Sequence, residues 1–196
     1  MDFALLFSFY AGQNMKQLFL PIAFALFAGL SLAAENPSQI EGATPEKIVG
    51  GAENLNILND ATEVTVFRVV PENKVERKMR ITIDGYNCES PPQVVSGREF
   101  RKAVTAFSEV TNFGGMLMCD FDPSVILRFK ADSKTLDVVV CFRCHEVCLY
   151  RDGELVRRDL KWAESKSTFF GDARVGFTAV AKKAFPHDSE IKLLKP

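Results

Sequence analysis

Alternation of apolar and polar positions marks four segments of the chain as strands. In Glu63–Val69, Val64 and Val66 share one face while Thr65, Phe67 and Val69 share the other. In Met79–Gly85, Met79, Ile81 and Ile83 oppose Arg80, Thr82 and Asp84, and in Val125–Lys130 the inward set is Val125, Leu127 and Phe129. The longest run, Leu136–Tyr150, carries Leu136, Val138, Val140 and Phe142 on one face. Fifteen residues is long for a strand, so a bulge or turn is expected near Phe142-Arg143. Asp132-Ser133-Lys134 predicts a hairpin turning at Ser133, whose extended ladder would set Cys119 opposite Cys148. Asp152-Gly153 predicts a tight turn returning the chain into Glu154–Leu160.

Two helices interrupt the strands. Ser96-Gly97-Arg98-Glu99 reads as a capping box, followed by Phe100, Ala103, Val104, Phe107 and Val110 at helical spacing, with Gly114 as the stop. The second begins near Asp172, runs through Phe177, Val180, Ala181 and Ala184, and ends before Pro186. The predicted fold is α+β: an antiparallel meander with two helices on one face.

Hydropathy divides the chain further. From Met15, the natural first residue on this reading, Lys16 precedes an apolar run at Leu18–Leu32 and then Ala33-Ala34. The run is shorter than the roughly 20 residues of a spanning helix and breaks at Pro21 and Gly29, so residues 1–34 read as a cleaved signal peptide. Residues 35–61, rich in proline and glycine, read as a flexible linker, and 62–196 as one domain. The expected location is periplasmic or extracellular, with no transmembrane span in the mature chain. The net charge of −1 is spread evenly, without a basic stripe for nucleic acid.

Chemistry concentrates in five cysteines: Cys88, Cys119, Cys141, Cys144 and Cys148, the last three within Cys-Phe-Arg-Cys-His-Glu-Val-Cys. Export favours disulfides among them, braced in a domain without catalytic activity. A zinc or copper site from Cys119, Cys141, Cys144, His145 and Cys148 is the alternative, since Cys-x2-Cys-x3-Cys with a distant fourth cysteine can surround zinc. A Cys-x-x-Cys redox pair and c-type haem attachment at Cys141–His145 also match the spacing, though neither sits at a helix start as such sites require. Strand parity puts His145 with Cys141 and Arg143 on a solvated outer face, and His187 in a surface loop. Asp120 and Asp122 read as solvated loop carboxylates. Lys47-Ile48-Val49-Gly50-Gly51 is similar to the activation site of trypsin-like proteases, but no nucleophile or histidine segment of that family follows.

The stretch Met118–Cys144, with Cys119-x-x-x-Pro123, an Arg128-Phe129 strand, a hairpin and Cys141-Phe-x-Cys144, resembles a group of uncharacterised bacterial exported and lipoprotein-like proteins. The resemblance covers roughly 115–195 and implies no activity. It implies that Cys119, Cys141 and Cys144 form the core cluster, with Cys88 and Cys148 as additions.

Overall fold

Two neighbouring strands, β5 (Val125–Ala131) and β6 (Lys134–Cys141), are apolar on both faces, and both faces are covered. Asp132, at φ +53°, turns one into the other, and Val125 faces Val140 across the ladder. The long predicted strand divides. β6 ends at Cys141, residues 142–145 reverse the chain, and β7 (Glu146–Arg151) runs back along β6. Cys148 therefore pairs with Val139 on β6, and the expected pairing of Cys148 with Cys119 falls on a residue outside the described ones. Asp152-Gly153, both at positive φ, makes the expected tight turn into β8 (Glu154–Lys161).

In the computed structural model the described residues are 44–71, 80–109, 113, 120–161 and 172–195. Among them β1 (Glu63–Arg68) pairs with β5 on one side and with β4 (Gln93–Ser96) on the other. The resulting six-stranded sheet is antiparallel in the order β4-β1-β5-β6-β7-β8. A separate two-stranded hairpin, β2 (Arg80–Ile83) and β3 (Tyr86–Glu89), turns at Asp84-Gly85. It joins the main sheet through a Val69–Cys88 bridge and a 3.0 Å bond from the Val70 N–H to the Asn87 carbonyl.

Five helices occur among the described residues, and their apolar residues form one core with one sheet face. Two of them, α1 (Pro45–Val49) and α2 (Ala52–Asp60), correct the expected linker over its second half. Thr44 caps α1 with its hydroxyl, Pro45 occupies the first turn, and Ile48, Val49, Ile57 and Leu58 enter the core. Composition had hidden a helical pattern there. Helix α3 (Gly97–Ser108) starts after Ser96 as expected, but Ser96 makes no side-chain cap bond and the helix stops well before Gly114. Helix α4 (Asp172–Ala184) crosses α3 at Gly176, where a Cβ would sit 2.6 Å from the Lys102 carbonyl oxygen. Across this contact Phe177 of α4 sits against Phe107 of α3 at 5.5 Å, and Phe107 also stacks on Phe113 at 5.4 Å. A short α5 (Ser189–Leu193) closes the chain. No helix among the described residues is long and apolar enough to cross a membrane.

Candidate functional site

The β6–β7 turn carries the sulfur chemistry. Residues 142–145 need one left-handed position to close, and His145 takes it at φ +53°. The turn folds Cys144 back so that its N–H donates to Cys141 Sγ at 3.2 Å. Both cysteines are fully buried. Cys144 Sγ also lies 2.9 Å from the Asp120 carbonyl oxygen, tying the turn to the irregular segment leading into β5. Cys88, Cys141 and Cys148 are buried thiols outside any disulfide; Cys144 alone among the described cysteines is not a thiol. Cys119 lies outside the described residues.

Sheet parity separates the other candidates. Leu136, Val138 and Val140 on β6, with Val147 and Leu149 on β7, face the helices. Val139 and Cys148 face the opposite way, into a second cluster with Phe67, Val69, Ile126 and Cys88. Phe67, Ile126, Val139 and Cys148 form one row across β1, β5, β6 and β7. His145 is not the solvated residue that strand parity predicted. It is 8 % exposed, and Arg174 of α4 lies 3.2 Å from its Nε2. Arginine is donor only, so Nε2 accepts that bond and its lone pair is committed. Cys148 thus points to one side of the sheet, while His145 meets a helix packed on the other. Among the described residues no three His, Cys, Asp or Glu side chains converge as a metal ion would require. Asp120, Asp122 and His187 are exposed in loops, as expected.

An ionic cluster on the second face escaped sequence reasoning. Asp137 is 1 % exposed in the middle of β6, directly across from Arg128 on β5. Arg128 grips it with two bonds, Nε to Oδ1 at 2.7 Å and Nη2 to Oδ2 at 2.6 Å, and its guanidinium lies 5.3 Å from the centre of the Phe67 ring. Asp84, at φ +49° in the β2–β3 turn, brings a second carboxyl to this pair. Burial, the charge of Asp137 and a hydrogen bond shared with it push the Asp84 carboxyl up to about 7, against the pull of Arg128. Burial, helped by Asp84, pushes the nearby Cys88 thiol up to about 12, so it stays protonated and inert. One signal was visible in the chain: Asp137 interrupts Leu136-Asp-Val-Val-Val, a charge in a strand otherwise built for burial on both faces.

A second ionic clamp sits at the end of β1. Arg68 Nε donates to Asp188 Oδ2 at 2.8 Å, Nη1 donates to the Val69 and Ser124 carbonyls, and Nη2 bonds Glu190. Asp188 also caps α5 by accepting from the Glu190 and Ile191 amides. Arg68 therefore holds the C-terminal helix to the sheet.

No protein-family model matches this chain, and neither a curated protein nor a solved structure matches it.

Proposed function

We propose that the chain is an exported domain without catalytic activity of its own, whose β6–β7 turn is braced by a Cys119–Cys144 disulfide. The carrying observation is the 2.9 Å approach of Cys144 Sγ to the carbonyl of Asp120, the residue next to Cys119 in the chain. Cys144 is also the one described cysteine that is not a thiol, which leaves Cys119 as its candidate partner. Such a bond ties the approach to β5 to the far end of β6. Closing a loop of that size contributes about 3 kcal/mol by restricting the unfolded chain. The apolar run at Leu18–Leu32 and Ala33-Ala34 supports export into an oxidising compartment.

The test is peptide mapping of the exported protein without reduction. The expected result is a cross-linked pair of peptides holding Cys119 and Cys144, with Cys88, Cys141 and Cys148 alkylated only after denaturation. All five thiols alkylated in the denatured, unreduced protein, or one equivalent of zinc in place of the bond, would overturn the reading. N-terminal sequencing of the same sample should begin at Ala34 or Glu35.

A further inference from the structure

The β2–β3 hairpin lies over the sheet face that carries no helices. Ile81, Ile83 and Tyr86 pack on the row Phe67, Ile126, Val139 and Cys148, with Cys88 buried among them. What anchors the hairpin's turn is polar. Asp84 Oδ2 is buried, and no nitrogen donor reaches it. Its carboxyl faces Asp137, whose two oxygens are already taken by Arg128. Two carboxyls and one guanidinium cannot all be satisfied unless one acid keeps its proton and donates it to the other.

We propose that Asp84 is a proton-dependent latch: protonated, it donates to Asp137 and holds the hairpin down; ionised, it releases the hairpin and opens the apolar face that carries Cys88 and Cys148. The groups facing Asp84 leave little else to respond to a proton. They are Asp137 on β6, Arg128 on β5 and the Cys88 thiol on its own hairpin. Tyr150 on β7 stands in register with Asp137, and the β1 residues facing this side, Thr65 and Phe67, are uncharged. An undocked Asp84 would titrate as an ordinary carboxyl, well below its docked value of about 7. The docked state therefore binds the proton more tightly. Closure is complete in acid, weakens as pH rises toward 7, and is level above that. The exchange moves one proton: ionisation breaks the O–H bond of the Asp84 carboxyl, the electron pair stays on the carboxylate and a water molecule takes the proton.

Exposure of Cys88 reports the latch. A pyridyl disulfide probe is applied to the full chain at pH 5 and pH 8, and each rate is divided by that of the urea-unfolded protein at the same pH, which removes the thiol's own ionisation. The expected result is a protection factor for Cys88 that falls about fivefold from pH 5 to pH 8, while Cys141, which is not among the residues packed with the hairpin, holds steady. Asp84→Asn keeps a donor at this position and suits its left-handed backbone, so its Cys88 protection should stay level across the range. A level wild-type profile overturns the proposal, as does an equal fall in Asp84→Asn or a parallel fall at Cys141. None of these readings depends on the Cys119–Cys144 bond, which peptide mapping reports separately.

Discussion

The two faces of the central sheet are built on different principles. Facing the helices, Val64, Val66, Leu127, Phe129, Val138 and Val140 meet Phe107, Phe177 and Ile191 in one uninterrupted apolar core. The opposite face offers a single short row, capped by a small hairpin, with an arginine and two carboxyls at its edge. Burial per residue is similar, yet the core of the first face is apolar throughout, with His145 and Arg174 only at its margin, and the second has its hairpin held by a proton. Stability resides on the helical side; response to conditions resides on the other. A sheet covered on both faces can thus keep its fold while one cover moves.

Breaking the helical face should cost most. Phe177 is fully buried between α3 and the sheet, touching Phe107. Phe177→Ala should lower unfolding free energy by about 4 kcal/mol, read from urea titration of far-UV circular dichroism. Arg68→Met comes next, at about 2 kcal/mol, because it leaves two backbone carbonyls and two carboxylates without their donor. It carries a pH signature as well. Burial works against the charged form of Asp188, but Arg68 and the Ile191 and Glu190 amides together hold its carboxyl below the usual 3.8. That stability is present above the ordinary carboxyl value and is lost as pH falls through the lowered one. The variant should therefore lose less than wild type when titrated from pH 5 to pH 3. On the second face, Phe67→Leu removes the ring beneath Arg128 but keeps an apolar filler, so about 1.5 kcal/mol is expected from the same titration.

What the chain disclosed beforehand follows the same division. β1, β5 and α4 were legible because period 2 or 3.6 persists along them, and β8 because Asp152-Gly153 demands a tight turn that returns the chain. Helices α1 and α2 were not, since two glycines and a proline in a short stretch mimic a linker. Those residues instead set a helix start at Pro45 and a break at Gly50-Gly51, both at positive φ. His145 was misplaced because strand parity was carried through a turn, and one left-handed residue there cancels the period. The closeness of Cys141 and Cys144 was left open by the residues, since an extended run parts them and only a turn near Phe142-Arg143 brings them together. The face chosen by Cys148 was not, because it depends on a register fixed only after the reversal. Asp137 announced itself by its apolar neighbours. Asp84 could not, because its partner lies across a docking that no local pattern encodes.

The smallest expected effect sharpens the contrast most. Asp84→Asn replaces a carboxyl that must be protonated to dock by an amide that needs no proton. In wild type, raising pH from 5 to 8 removes the proton that the docked state prefers, so hairpin docking contributes less and less to stability. The variant has nothing to lose over that range. Its stability relative to wild type should therefore grow by about 1 kcal/mol between pH 5 and pH 8, after solvent screening of a half-exposed group is allowed for. Urea titration at the two pH values measures the difference of differences, so any constant effect of the amide cancels. Phe177→Ala in the same comparison should leave the pH term unchanged, because the helical face lies on the other side of the sheet and shares no charged partner with Asp84. If the pH term vanished in Phe177→Ala as well, the two faces would be one cooperative unit and the hairpin could not open alone.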